Sequence, residues 1–239
     1  MVLAILQARM SSSRLPGKVM LPILGRPMIG LQIERLRRAR GLTGLMVATS
    51  REPEDDVIAR YCGELGVDCH RGSLEDVLGR FIGALDAAGA PKTFLRLTAD
   101  CPLADWTLVD RSIAEHAAAG ADLTFTTQNW TFPKGLDVEV CQSAALRVAD
   151  QAAVDPYERE HVTPYIYRHP ERFRTHGITR DPPLRYRWTV DTPEDFAFVS
   201  AVYEALYPGK PDFTSEDVLA WQTVHPDRVL PNDLPETRL

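Results

Sequence analysis

Five short apolar runs, each separated from the next by a segment of helical periodicity, set the tightest limit on how this chain folds. The runs are "VLAILQA" (Val2 to Ala8), "LMVATS" (Leu45 to Ser50), "VDCHR", "KTFLRLTA" and "ADLTFTT". Between them, "PMIGLQIERLRRA" places Ile29, Ile33 and Leu36 at helical spacing and ends in basic residues. "EDDVIARYCGEL" puts Val57, Ile58, Tyr61, Cys62 and Leu65 on one face, with acids in its first turn. "SLEDVLGRFIGALDAA" repeats apolar residues from Leu74 to Leu85 behind Ser73, the expected cap, and "ADWTLVDRSIAEHAAA" is a further helix. Such alternation with short connections predicts an α/β protein: a mostly parallel sheet with helices on both faces. Ligands of such sheets bind beyond the carboxyl ends of the strands.

After about residue 128 the rhythm changes. "LDVEVCQ" alternates like a strand and leads into a helix from Ser143. "YEREHVTPYIYRH" is partly helical, with a break near Pro164. "FRTHGIT" and "LRYRWTV" are strand-like. "TPEDFAFVSAVYEAL" has a cap at Thr192 and proline at its first turn, and the Pro-rich tail holds a short helix near Ser215 to Gln222. At 239 residues one domain is expected. Its core would run over about 1–127 and 173–207, with a small additional lobe at about 128–172 and a tail at 208–239.

The carboxyl end of the first strand opens into "QARMSSSRLPGK". Arg9, Arg14 and Lys18 supply cations, Ser11, Ser12 and Ser13 supply donors, and Pro16 and Gly17 shape the turn. That chemistry suits a polyphosphate. It is not a Walker A loop, because Ser12 and Val19 stand where that pattern needs Gly and Ser/Thr. The protein as a whole is acidic, with net charge −6, which argues against general affinity for nucleic acid or anionic membrane. A basic loop on an acidic protein points to a small anion.

Two aspartates offer a metal for such an anion. Asp100 follows the fourth strand in "LTADCPL", and Asp191 follows "LRYRWTV" in "VDTPED". Mg²⁺ takes one or two carboxylates beside phosphate oxygens and water. Arg96, Arg159, His161 and Arg187 are candidates to hold a substrate carboxylate. Asp137 and Glu139 face one side of a strand and either line an acceptor site or face water. Trp106, Trp130, Trp188 and Trp221 are expected in the core or an interface. The four cysteines form no CxxC pair, and the N-terminus lacks a basic n-region, so reduced thiols and a cytoplasmic location are expected.

Taken together, "QARMSSSRLPGKVMLPILGRPMI", "HRGSLEDVLGRF", "LRLTADCPL", "GLDVEV", "EREHVTPYI" and "RWTVDTPEDF" resemble the cytidylyltransferases of the spore coat polysaccharide biosynthesis protein F type. These are relatives of the octulosonate and acylneuraminate cytidylyltransferases. The resemblance runs in order from residue 3 to about 205. It implies a Rossmann-like nucleotidyltransferase fold, CTP as donor, Mg²⁺ as cofactor, a 2-keto sugar acid as acceptor and a homodimer. Carried over by motif, Ala8 and Arg9 lie near cytosine and phosphates, and Thr98 and Ala99 border the nucleoside. Ser12, Ser13, Arg14, Gly17 and Lys18 hold the triphosphate, and Asp100 and Asp191 ligate the metal. Arg71 and Asp76 fall near the nucleotide and sugar. The candidate acceptor-binding residues Arg96, Asp137, Glu139, His161 and Arg187 rest on residue type and spacing and not on the motifs. Val19 after Lys18, and "LTADCP" where octulosonate enzymes carry a Gln-Gly-Asp-Glu-Pro type segment, depart from the named sugar enzymes and leave the acceptor open. Three other readings compete: a phosphonate or other small-acid acceptor, a glycosyltransferase using "DVE" as its metal motif, and a nucleotide-binding protein without turnover.

Overall fold

A computed structural model describes residues 2–128 and 131–228. Its centre is a seven-stranded sheet ordered β5-β4-β1-β6-β8-β7-β9. In chain order, β1 (Val2–Gln7) leads through a small hairpin, β2 (Pro22–Ile23) and β3 (Arg26–Pro27), to α1 (Met28–Leu36). Then come β4 (Leu42–Ser50), α2 (Asp56–Glu64), β5 (Asp68–Gly72), α3 (Val77–Ala87), β6 (Thr93–Thr98), α4 (Trp106–Ala119) and β7 (Leu123–Phe125). The remainder is β8 (Glu139–Gln142), α5 (Ser143–Ala152), α6 (Pro156–His161), α7 (Pro164–Arg168), β9 (Thr175–Gly177), α8 (Pro193–Leu206) and α9 (Ser215–Val224).

The parallel sheet expected from the alternation is present. β1 pairs in parallel with both β4 and β6, so it is central and buried on both faces. That burial explains its unbroken apolar run, because neither face needs polar residues. Ala4 and Leu6 pack on one side with residues of α1, α4 and α8. Ile5 points to the other side, among residues of α3 and α5. β8 runs antiparallel to both β6 and β7, which brings its first residue, Glu139, to the edge where the parallel strands end. Residues 139–142 of the segment expected as a lobe thus join the central sheet. Part of the expected tail also packs inward: Trp188 Nε1 donates to Gln222 Oε1 of α9 at 2.8 Å, and Arg35 stacks over Phe213 at 4.1 Å. Residues 229–239 of that tail, and Trp130, lie outside the described residues.

Three local expectations are corrected. α3 is capped by Asp76, whose Oδ1 accepts from Gly79 N at 3.0 Å, while Ser73 Oγ accepts from Asp76 N one step earlier. "LRYRWTV" forms no sheet strand. It runs extended beside residues 131–134, with Leu184 N donating to Thr131 O, Lys134 N to Tyr186 O and Trp188 N to Lys134 O. It looked like a strand because Trp188, Thr189 and Val190 are all buried, and burial rather than sheet pairing gives the run its apolar and β-branched residues. Only Leu123–Phe125 of "ADLTFTT" is strand. The break near Pro164 is real: Val162 takes φ 75° and ends α6, and Pro164 opens α7.

Candidate active site

The strand order reverses beside β1: the chain passes from β1 to β4 on one side, while β6 lies on the other. The crevice at such a reversal, beyond the carboxyl ends, is where open α/β sheets bind ligands. A cleft of about 400 Å³ lies there, lined from β1 by Gln7, Ala8 and Arg9 and from β6 by Thr98, Ala99 and Asp100.

The basic loop forms one wall, with Arg9, Ser12, Ser13, Arg14 and Lys18 all on the cleft. Two devices hold it. Met10 N donates to Asp55 Oδ1 at 2.7 Å, and the other oxygen of this buried carboxylate accepts from Ser50 N and Oγ. Gly17, at φ 70°, turns the chain back so that its N–H reaches Met10 O at 2.8 Å. Gly17 shapes the loop and does not itself line the cleft, because its left-handed turn faces Met10.

Asp100 and Asp191 meet. The Lys18 ammonium donates to Asp191 Oδ1 at 2.9 Å, to Asp100 Oδ2 at 3.3 Å and to Val190 O at 2.6 Å. Backbone bonds set this convergence: Val190 N donates to Asp100 O at 2.7 Å, and Thr189 Oγ1 to the same oxygen at 3.1 Å. The turn after β6 and the segment before α8 are therefore stitched together directly behind the two carboxylates. Asp191 Oδ2 also faces Arg14 at 3.0 Å, Arg187 at 3.1 Å and Lys134 at 3.9 Å. Burial pushes the Asp191 carboxyl upward, but the hydrogen bond and charge of Lys18, with Arg14 and Lys134, outweigh it and hold the group below the usual carboxylate range.

Lys134 reaches this point because Gly135 lets two backbones touch. Gly135 has φ 110°, and a Cβ there would stand 2.6 Å from Thr189 N and 2.7 Å from Trp188 C. Gly135→Ala is expected to destabilise the fold by about 2 kcal/mol or more and to weaken nucleotide binding, because the colliding atoms are backbone and carry Asp191 with them. Equilibrium unfolding of the variant measures the first effect and ligand-induced thermal shift the second.

Arg187 does not line the cleft. It is held by Asp195, with Nε to Oδ1 at 2.7 Å and Nη2 to Oδ2 at 2.8 Å, and its place is behind Asp191 rather than against an acceptor. Asp195 Oδ2 accepts in addition from Asp191 N at 2.8 Å and Thr192 N at 2.9 Å, completing the box that starts α8. Arg71 also stands outside the cleft: Nε donates to Ser50 O at 2.8 Å and Nη2 to Glu52 O at 3.0 Å, with Asp56 paired to its Nη1. Asp76 caps α3 and takes a two-pronged contact from Arg159 at 2.8 and 2.9 Å, which uses both side chains structurally.

Arg96, Asp137, Glu139 and His161 also line the cleft. Arg96 and Glu139 are register partners on β6 and β8, joined at 2.7 Å. Arg96 also donates to Gln7 Oε1 at 3.1 Å, and Glu139 accepts from Thr163 Oγ1 at 2.9 Å. The His161 ring lies 4.3 Å from that of Tyr157. Sequence reasoning missed Arg80, Lys134, Tyr157, Thr163 and Tyr167, which also line the cleft. Arg80 had a signal: it is a charge inside the apolar stripe of α3, between Leu78 and Phe81. Burial, then repulsion from Arg9, push its guanidinium down to about 10. Among the tryptophans, Trp188 is fully buried, and Trp106 and Trp221 pack against the same core.

The donor set fits a hard divalent cation. Among the described residues no group of three or more His, Cys, Asp or Glu converges. Two carboxylates do, as Mg²⁺ requires when phosphates and water complete its shell. Among the described residues no helix is long and apolar enough to cross a membrane, and all four cysteines are free.

A sequence profile described as cytidylyltransferase matches residues 3–205. The chain belongs to the cytidylyltransferase family. It is 34% identical over 237 residues to the spore coat polysaccharide biosynthesis protein SpsF of Bacillus subtilis (strain 168), covering 95% of each chain. An 8-amino-3,8-dideoxy-manno-octulosonate cytidylyltransferase of Shewanella amazonensis is 35% identical over 109 residues, 44% of this chain and 42% of that one. Among solved structures, a cytidylyltransferase from Leptospira borgpetersenii superposes with TM-score 0.90 at 28% identity, covering 98% of both chains. A CMP:2-keto-3-deoxy-manno-octonic acid synthetase shares the fold at TM-score 0.62 and 18% identity, over 85% of this chain and 98% of that one. The family's Rossmann-like nucleotidyltransferase fold is thus the fold of this chain.

Proposed function

We propose that the protein transfers CMP from CTP to an acidic acceptor, a sugar acid of the 2-keto type, with release of pyrophosphate. One observation carries the reading: the ammonium that ends the basic loop lies within hydrogen-bonding distance of both Asp100 and Asp191. A cation-rich loop facing a carboxylate pair is what a metal-bound triphosphate requires. The cytidylyltransferase activity of the octulosonate relatives and the SpsF relative's part in spore coat polysaccharide biosynthesis support the nucleotide and the acceptor class. The solved synthetase of this fold is described as complexed with CTP.

In this reading Arg14, Lys18 and Lys134 bind the triphosphate and take up charge on the departing pyrophosphate. Ser12 and Ser13 donate to phosphate oxygens, and Ala8, Thr98 and Ala99 border the nucleoside. Mg²⁺ held by Asp100 and Asp191, when bound, supplies polarisation of the α-phosphate and lowers the pKa of the attacking hydroxyl. The remaining catalysis is alignment: the cleft keeps the hydroxyl in line with the α-phosphorus and the bond to the leaving pyrophosphate. Arg96 and His161 line the same cleft and are the residues proposed to meet the acceptor anion.

The glycosyltransferase alternative placed a metal on "DVE". Glu139 is paired with Arg96 and accepts from Thr163, as Asp191 is paired with its own cations, so the reaction products separate the two readings. A panel of CTP, UTP, ATP and GTP with Mg²⁺ tests the nucleotide. CTP at roughly 100 times its Kd is expected to add about 2.7 kcal/mol of apparent stability, seen as a raised Tm. A larger shift with ATP, or none with any nucleotide, would overturn the reading. Product analysis adds the reaction type: pyrophosphate is expected, and a nucleoside diphosphate would assign a glycosyltransferase.

A further inference from the structure

We propose that Lys18 acts as a resident cation that keeps the Asp100–Asp191 pair closed to free divalent metal, so that the metal enters only together with nucleotide. This rests on the reading just given and adds the order in which the site fills.

An ammonium has three donors. All three of Lys18 are used, on Asp191 Oδ1 at 2.9 Å, Asp100 Oδ2 at 3.3 Å and Val190 O at 2.6 Å. The Lys18 side chain is only 10% exposed, so this is a seated group and not a surface lysine swinging past. Its contacts with both carboxylates take up the oxygens that would hold a metal. The other Asp191 oxygen is no more available, since Arg14 and Arg187 lie at 3.0 and 3.1 Å and Lys134 at 3.9 Å. Asp195 balances Arg187, but Lys18, Arg14 and Lys134 together exceed the two negative charges of the pair. A free dication approaching this cluster meets net positive charge and carboxylate oxygens already donated to.

A triphosphate changes both terms. It brings several negative charges, and its oxygens accept the charge-assisted hydrogen bonds that Lys18 now gives to the aspartates and draw Arg14 from its ion pair with Asp191. Once those donors turn to phosphate, the two carboxylates are left facing each other across the space Lys18 vacated, and their repulsion favours a dication there. The same lysine thus closes the metal seat in the free protein and serves the phosphates in the loaded one. The arrangement selects the metal–nucleotide complex over free metal.

Mn²⁺, followed by water-proton relaxation on the full chain, tests this. Without nucleotide, the wild type is expected to bind Mn²⁺ at least about tenfold more weakly than it does with CTP present and acceptor omitted. Lys18→Met is expected to gain about tenfold or more in nucleotide-free Mn²⁺ affinity, and Lys18→Arg to stay closed. Lys18→Met combined with Asp191→Asn should lose the gain, which assigns it to this pair. Equal Mn²⁺ affinity of the wild type with and without CTP would overturn the proposal, as would a folded Lys18→Met that gains nothing. Because triphosphate oxygens themselves ligate Mn²⁺, the gain on removing the ammonium decides the matter, and Lys18→Gln replaces Lys18→Met where the latter does not fold. If CTP raises the Tm but Mn²⁺ already binds tightly without it, only the gating fails. If no nucleotide binds at all, the functional reading itself fails.

Discussion

Asp191→Asn is expected to lower turnover by ~10²-fold or more, a loss of about 3 kcal/mol in transition-state stabilisation. The substitution keeps shape and removes charge. In the wild type this carboxylate faces Lys18, Arg14 and Arg187 within about hydrogen-bonding distance, and Lys134 a little further off. An amide there weakens any hold on a metal and leaves a surplus of cations around the reacting phosphates. Asn can still accept from Lys18, so the fold is expected to survive with a modestly lower Tm. Pyrophosphate release at saturating CTP and Mg²⁺ measures the effect. An Asn variant with undiminished turnover under those conditions would remove Asp191 from the catalytic set. A variant restored by raising Mg²⁺ would confine its role to metal affinity.

The second large effect is on stability. Asp195→Ala is expected to cost about 3–5 kcal/mol, because it removes the buried carboxylate of an ion pair whose arginine is only partly exposed. Four hydrogen bonds end on this carboxylate, from Arg187 Nε, Arg187 Nη2, Asp191 N and Thr192 N. Without it Arg187 has only Asp191 to turn to, and α8 loses its capping box. For a chain of this size the drop in Tm is roughly 6–20 °C. The pH dependence follows from the direction of the shift. Burial raises the Asp195 carboxyl, but the hydrogen bond from Arg187 and those from Asp191 and Thr192 N–H lower it more, so its folded value lies below the ordinary one. Its contribution is therefore fully present above the ordinary carboxylate pKa of about 4 and fades as pH falls through the folded value. Wild type and Asp195→Ala should differ most at neutral pH and converge in acid. A gap that stays constant down to about pH 2 would mean that the carboxylate's charge is not what stabilises this corner.

Much of the architecture was legible because burial leaves period and composition behind. β1 lies between two packed faces, so its residues are apolar without alternation, and the run announces an interior parallel strand. α3 shows its buried stripe at helical spacing, and α8 shows its start in Thr192, Pro193 and Asp195. The basic loop could be placed because it follows β1 directly. Less legible were features set by contacts between distant segments. Ser73 and Asp76 both have capping chemistry, and only the path of the chain decided that Asp76 caps α3. Arg71 and Arg80 occur in one motif, yet Arg71 ties β5 to the turn after β4 while Arg80 enters the cleft. A single side chain carries no mark of which neighbour it will meet.

The chain's own order of residues determined the alternating layers, the basic loop at the end of β1 and the helix that begins at Thr192, since each depends on near neighbours and on which positions are buried. Tertiary structure alone decided that Asp100 and Asp191 face one ammonium, that Arg187 stands behind Asp191, and that Lys134 joins them past Gly135. The physical reason is range. Strand and helix signals come from local periodicity, whereas the carboxylate pair exists only because Val190 and Thr189 hydrogen-bond to the carbonyl of Asp100.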